Sequence, residues 1–187
     1  MRTPLVLPRD HPSWGAVHLR AFTADDVPML LDLSTDPYVP LTGSLPGNAS
    51  REDALGYVRR QHDRLLTGEG FSFCVALRES DEAVGQAGLW LRSVASGRAT
   101  AGYAIAPGFR GRGLAAQALT ALTGFAWTLP QVHRVELYVE PWNVASLRTA
   151  EAAGYHGEGL LRSHQEIGGR RVDMLLHAAV RGDSRTS

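Results

Sequence analysis

Gly102-Tyr103-Ala104-Ile105-Ala106-Pro107-Gly108-Phe109-Arg110-Gly111-Arg112-Gly113-Leu114-Ala115 is the stretch around which the chain is arranged. Residues 102–106 alternate as a strand does, Pro107-Gly108 stop it, and a helical pattern opens near Leu114. A basic, glycine-rich turn therefore joins a strand end to a helix start. Glycine reaches positive φ without a Cβ clash, so successive N–H groups can point into one concavity. The unpaired amides of the first helical turn face the same place, at the positive end of the helix dipole. Such a concavity holds anions. The reading it supports is a pyrophosphate-bearing cofactor lying across Gly111, Arg112, Gly113, Leu114 and Ala115. Two other readings fit the same residues. One is a surface loop with solvated arginines. The other is a dinucleotide fingerprint, because Gly111-x-Gly113-x-x-Ala116 has Glu136 or Glu140 about 20 residues downstream. Against it, Pro107 to Arg110 separate the strand from the first glycine, where that fingerprint needs an immediate turn.

Upstream, Pro4, Pro8, Pro12 and Gly15 mark residues 1–16 as an irregular lead-in with room for one short edge strand, not counted among the strands of the sheet. Val17 to Phe22 alternate as a first strand. Thr23-Ala24-Asp25-Asp26 then caps a helix carrying Val27, Leu30, Leu31 and Leu33. Asp36-Pro37 end it, and residues 36–50, with Pro40, Gly43, Pro46 and Gly47, read as a loop long enough to line a site. Ser50-Arg51-Glu52-Asp53 cap a second helix whose apolar face is Leu55, Val58, His62, Leu65 and Leu66. Phe71–Arg78 and Val84–Leu91 make a hairpin, and a turn at Ser96-Gly97 leads into the strand of Ala99–Ala106.

Downstream, Leu114, Ala118, Leu122 and Phe125 form a helical stripe, Arg134–Val139 a strand, and Val144–Ala153 a helix closed at Gly154. Leu160–Glu166 and Arg171–Val180 read as a terminal hairpin about Gly168-Gly169. The order mixes meander and crossover, which makes the fold class α+β: a mixed, mostly antiparallel sheet of about seven strands with about four helices. The expected organisation is one domain over 17–181, with a tail at 182–187.

At 187 residues the chain suits a single core, and 19 cationic against 19 acidic residues leave no global charge to attract DNA or an acidic membrane. The cations are arginines, suited to bidentate contacts. One cysteine, Cys74, excludes an internal disulfide framework, and its place in Phe71-Ser72-Phe73-Cys74-Val75 makes it a buried strand thiol. No segment approaches the roughly 18 consecutive apolar residues of a membrane helix, and no signal core opens the chain, so a cytoplasmic location is expected. The histidines show no ligand spacing, and no metal is expected.

Taken together, Ile105-Ala106-Pro107, Arg110-x-x-Gly113-x-Ala115, His133-Arg134-Val135-Glu136-Leu137, Asn143-x-x-Ser146 and Ala150-Glu151-x-x-Gly154-Tyr155-x-x-Glu158-Gly159 resemble the GNAT superfamily of N-acetyltransferases, in its RimJ/RimL branch. Leu19-Arg20 and Val84-Gly85-x-x-Gly88-Leu89 fit the same branch. The resemblance spans about 17–181 and implies a sheet splayed at its centre after Ala106. It implies that acetyl-CoA is the cosubstrate, with pantetheine pairing near Ile105 and Ala106 and the pyrophosphate over Arg110 to Ala115. Asn143 would orient the pantetheine arm and Ser146 would contact or protonate the sulfur; Asn143 also reads as the N-cap of its helix. The acceptor implied is a primary amine, a protein N-terminal α-amine or a small molecule such as an antibiotic or polyamine. The β-rich surfaces of this family often pair, which makes a homodimer one candidate state and leaves the oligomeric state open. The competing class is a non-catalytic CoA-sensing or RNA-contacting module on the same fold.

Amine acetylation by direct attack needs a neutral amine, oxyanion stabilisation and a proton for the departing thiolate, and no covalent enzyme nucleophile. The base position implied by the family falls on Gln165, which cannot accept the proton. Glu166 and His164 should face the other side of their strand unless a bulge intervenes. Trp90 and Trp142 are candidate walls of the acceptor site.

Overall fold

In the computed structural model, which describes residues 4–182, the strands are β1 (Ser13–Trp14), β2 (Val17–Arg20), β3 (Gly70–Leu77), β4 (Ala83–Trp90), β5 (Arg98–Ile105), β6 (Arg134–Val139), β7 (His156–Ile167) and β8 (Arg170–Val180). The helices are α1 (Val27–Ser34), α2 (Val39–Thr42), α3 (Arg51–Leu66), α4 (Leu114–Ala126) and α5 (Val144–Ala152). All eight strands lie in one sheet, in the order β1-β2-β3-β4-β5-β6-β8-β7. Only β5 and β6 run parallel. The α+β mixed sheet stands, with one strand and one helix more than expected. The extra strand is β1, a two-residue edge pairing Ser13 with His18. The extra helix is α2, a single turn inside the 36–50 loop that Asp36 caps.

Strand alternation sorts the core into two layers. Phe71, Phe73, Val75, Leu89, Ala101, Val135 and Leu137 pack beneath α4, against Ala118, Leu119, Leu122 and Phe125. Phe125 meets Phe71 and Phe73 edge-on at 4.8 and 5.3 Å. Cys74 points to the opposite face, into a second cluster with Phe22, Leu30, Leu33, Tyr57 and Ala106. Burial pushes its thiol well above the ordinary value, as an inert strand thiol requires.

Reciprocal capping boxes precede the helices on this second face: Thr23 with Asp26 caps the 3-10 turn Ala24–Asp26 that leads into α1, and Ser50 with Asp53 caps α3. On α3 the inward face is Ala54, Tyr57, Val58 and Gln61; Leu66 is exposed and Leu55 and Leu65 are only half-buried. Periodicity placed that face differently because it scored Tyr57 and Gln61 as polar. Both are satisfied inside: Tyr57 donates to Gln86 Oε1, and Gln61 Nε2 donates to the Tyr57 carbonyl.

The sheet parts at its centre. β5 and β6 pair only from Arg98↔Arg134 to Thr100↔Glu136, whereas the β4–β5 ladder continues to Gly85↔Ile105. From Ala101 onward β5 therefore has an open edge toward β6.

Candidate active site

The turn that opens α4 has the conformation its glycines imply. Gly111 and Gly113 adopt φ of 75° and 71°. A Cβ placed on Gly111 would meet nothing within 4 Å, and one on Gly113 would meet only Gln117 Nε2 at 3.9 Å. Gly113 is the N-cap of α4, no side chain caps that end, and no acidic residue occupies its first turn. The first amides of α4 thus face an open concavity with the positive end of the dipole behind them.

The two arginines of the turn part company. Arg112 is exposed, lies over the Phe109 ring at 5.9 Å and stands outside the cleft. Arg110 is committed to protein: Nη1 meets Asp36 Oδ2 at 2.7 Å and Nε donates to the Ile105 carbonyl at 2.9 Å. Asp36 in turn accepts from the N–H groups of Tyr38 and Val39, and Asp32 Oδ2 accepts from Gly108 N–H at 3.0 Å. Two carboxylates, Asp32 in the last turn of α1 and Asp36 just beyond it, therefore fix the strand-to-helix turn in place.

Beyond the turn, the gap between β5 and β6 is a channel with exposed peptide groups. Ala106 N–H donates to Val84 across the β4 ladder, so Ile105 and Tyr103, at alternate positions, turn their peptide groups toward the gap. Ala106 itself is fully buried in the core below α1 and does not line the cleft. On the far wall Asn143 caps α5, its Oδ1 accepting from Ser146 N–H at 3.1 Å, which fixes Ser146 in the first helical turn. Facing them, the Tyr103 hydroxyl is buried beside the Ser146 and Thr149 side chains yet makes no hydrogen bond of good geometry to either. Burial raises its pKa, and the two neighbouring hydroxyls offset part of that rise. An unsatisfied buried hydroxyl in a channel awaits a partner.

The cleft, about 970 Å3, passes through this gap to the α1–α3 face of the sheet. Of the residues singled out in the sequence it gathers Ile105, Arg110, Gly111, Gly113, Leu114, Ala115, Asn143 and Ser146, together with Trp90, Trp142 and Gln165. The Trp90 ring lies flat on the sheet because Gly88 and Gly102 give it room: a Cβ at either would stand 3.0 or 2.8 Å from ring carbons. Arg64 stacks over that ring and donates to Ser72 Oγ. The register of β7 against β8 shifts between Leu161 and Gln165, with Ser163 at φ 49°. Even with this bulge it is Gln165 that lines the cleft; Glu166 pairs with Arg171 in the ladder and His164 stacks on Tyr138 at 4.8 Å.

Three cleft residues escaped the sequence reading. Tyr103 was read only as a strand residue, Tyr38 only as loop, and Glu140 only as a ribose ligand of the rejected fingerprint. Glu140 follows β6 directly and is 7% exposed. Tyr38 packs edge-on against Trp142 at 5.1 Å. Its phenol is raised by burial first and then by the neighbouring Glu140 carboxylate. The available signal for Glu140 was its position two residues beyond Tyr138, on the same face of β6.

Residues 16–156 match the family model of the acetyltransferase (GNAT) domain. An uncharacterized N-acetyltransferase, p20 of Bacillus licheniformis, is 26% identical over 163 residues, covering 87% of this chain and 92% of that protein. Among solved structures, a putative ribosomal-protein-serine acetyltransferase from Vibrio cholerae superposes with a TM-score of 0.79 at 21% identity, covering 94% of this chain and 99% of its own. RimJ of Mycobacterium smegmatis, in complex with CoA-disulfide, superposes with a TM-score of 0.77 at 25% identity, covering 92% and 86%. Among the described residues no helix is long and apolar enough to cross a membrane, and no group of three or more His, Cys, Asp or Glu is placed to hold a metal.

Proposed function

The chain belongs to the acetyltransferase (GNAT) family, and on that premise we propose that it draws acetyl-CoA into the gap between β5 and β6 and passes the acetyl group to a primary amine entering from the α1–α3 face. The observation that carries this reading is the coincidence, in one cleft, of an open glycine-lined anion cradle, an unpaired strand edge and a buried hydroxyl without a partner. The amides of Gly111 to Ala115 bind the pyrophosphate, and the edge of β5 at Tyr103 and Ile105 binds the pantetheine arm as an added strand would. Asn143 works through the helix it caps and by orienting that arm. Arg110 acts by holding the turn, since its Nη1 and Nε are already engaged with Asp36 and the Ile105 carbonyl. The CoA-disulfide held by the Mycobacterium smegmatis RimJ of the same fold supports the same ligand here. The acetyltransferases of ribosomal proteins among the structural neighbours support a polypeptide α-amine as the acceptor.

Transfer needs no enzyme-bound intermediate. The amine nitrogen attacks the thioester carbonyl, the C–N bond forms, the C–S bond breaks, the nitrogen gives up a proton, and the sulfur leaves with one relayed through the Ser146 and Tyr103 hydroxyls. Calorimetric titration with acetyl-CoA, followed by thiol release with a panel of amines and N-terminal peptides, tests the reading. Binding and release are expected, with Ser146→Ala lowering kcat by about ten- to a hundredfold and leaving binding intact. Binding without release for any acceptor, with Ser146→Ala binding equally well, would assign the fold to a non-catalytic CoA-binding module. Absence of acetyl-CoA binding would overturn the proposal.

A further inference from the structure

We propose that Glu140 is the group that receives the acceptor: its carboxylate holds the incoming amine as an ammonium ion and then takes the proton that frees the nitrogen lone pair. This inference rests on the acetyl-transfer reading above. It begins from a comparison of buried charges. Among the described residues three carboxylates are buried: Asp26, Glu136 and Glu140, at 1%, 4% and 7% exposure. Asp26 is held by Arg20 at 2.8 Å, and Glu136 by Arg134 at 2.9 Å and Arg98 at 3.5 Å. Glu140 has no cationic side chain within 4.0 Å among the described residues. A buried carboxylate is tolerated when a cation or several donors compensate it, and the group beside Glu140 is the Tyr38 phenol, one donor at most.

The cations sharing the cleft are spoken for or elsewhere. Arg110 is bound to Asp36, Arg64 to Ser72 and the Trp90 face, and Arg148 is exposed on α5. The missing positive charge therefore comes with the ligand, and a primary ammonium group is the acceptor class that supplies both the charge and the proton.

Position supports the assignment independently of charge. Val135, Leu137 and Val139 pack in the layer beneath α4, so Glu140 falls on the opposite, α1–α3 face, four residues past the last β5–β6 pair. The chain then turns tightly, with Asn143 N–H donating to the Glu140 carbonyl at 2.9 Å. Asn143 is the cap that sets Ser146. One four-residue turn thus joins the carboxylate on the acceptor side to the hydroxyl on the thioester side.

The proton balance closes. Glu140 takes one proton from the bound ammonium, and the neutral amine attacks. As the C–S bond breaks, the nitrogen loses a second proton and the sulfur gains one through the Ser146 and Tyr103 hydroxyls. Glu140 returns its proton to solvent, so each turnover of a protonated amine releases one. Tyr38 stays protonated throughout neutral pH, because burial and the Glu140 charge both raise its pKa.

The test is Glu140→Gln, which keeps the shape and an acceptor for Tyr38. Acetyl-CoA titration should be unchanged within about twofold, which also reports that the variant is folded. At pH 7, kcat/KM for the amine should fall by about a hundredfold or more, the lower range for loss of a general base. The deficit should shrink as pH rises past the pKa of the acceptor, about 8 for an α-amine, because solution then supplies the neutral form. Glu140→Asp should recover part of the rate. Tyr38→Phe, a milder change, should lower kcat/KM about five- to tenfold and serves if Glu140→Gln does not fold. A wild-type enzyme that acetylates amines while Glu140→Gln stays within threefold of it, or loses rate equally at every pH, overturns this inference alone. A wild-type protein that binds acetyl-CoA and acetylates no amine overturns the reading beneath it as well.

Discussion

Replacing Asp36 by asparagine should weaken acetyl-CoA binding, although Asp36 lies in the segment before α2, on the acceptor side. Its Oδ1 accepts from the N–H groups of Tyr38 and Val39 at 2.8 Å each, and its Oδ2 meets Arg110 at 2.7 Å. Asparagine retains one oxygen for the two amides and turns an N–H2 toward the guanidinium, so the charged contact is what disappears. The Arg110 side chain is 46% exposed and that of Asp36 10%, so solvent screens the pair and its coupling is about 0.5–1 kcal/mol. At the upper end this is about fivefold in Kd. Arg110 keeps the Ile105 carbonyl and Gly108 keeps Asp32, which limits the loss to that range.

The assay is a double-mutant cycle of Asp36→Asn with Arg110→Gln, read as acetyl-CoA Kd by calorimetry and acceptor KM by thiol release. Asp36→Asn should raise Kd two- to fivefold, Arg110→Gln at least as much because it also loses the Ile105 carbonyl, and the double should equal Arg110→Gln, because the Asp36 contact is already gone there. Salt should weaken wild-type binding more than that of the variants beyond the shared phosphate effect. Burial alone would raise the Asp36 carboxyl, but the Val39 amide, Arg110 and the Tyr38 amide outweigh it and hold it below the 3.8 of an ordinary aspartate. Its contribution to stability is therefore complete above that value and disappears as pH falls through the lower, folded one. Effects that simply add, or acetyl-CoA affinity indifferent to both changes, would refute the link between the acceptor segment and the cofactor turn.

At the cradle, Arg112→Ala should leave acetyl-CoA affinity within about threefold, whereas Gly113→Val, a β-branched residue forced to φ 71°, should weaken it tenfold or more by the same titration. Tyr103→Phe should leave thermal stability equal or slightly higher, since the buried hydroxyl has no partner to lose, while kcat falls about tenfold in the thiol-release assay. Gln165→Ala and Glu166→Ala should each keep the acetylation rate within about tenfold, because neither accepts the amine proton; a thousandfold drop in either would move the base to β7.

What the sequence made legible is what neighbouring residues decide among themselves. Pro107, Gly111 and Gly113 specify a turn through their own backbone preferences, Asn143 a cap, Thr23 with Asp26 and Ser50 with Asp53 the starts of helices; each was read correctly within a few residues. The strands of the core follow from alternation, which needs no partner to be visible. α3 marks the limit: its face turned with the partners that Tyr57 and Gln61 found on β4 and within the helix, and no window of one helix contains that information.

The chemistry of the site lies further beyond that limit, because it arises where pairing stops. β5 and β6 carry ordinary strand sequences, and nothing in either announces that their ladder ends at Thr100↔Glu136. Once it ends there, a tyrosine of β5 is left without a hydrogen bond and a glutamate following β6 without a cation. Each would be a defect if the two strands continued together. On the proposed reading the parted ladder makes room between them for a thioester and an amine, and the unmet needs of Tyr103 and Glu140 match what those two substrates would bring. A substitution that extended the β5–β6 pairing should therefore satisfy the sheet, raise stability and abolish transfer, the trade expected when a site is built from withheld interactions.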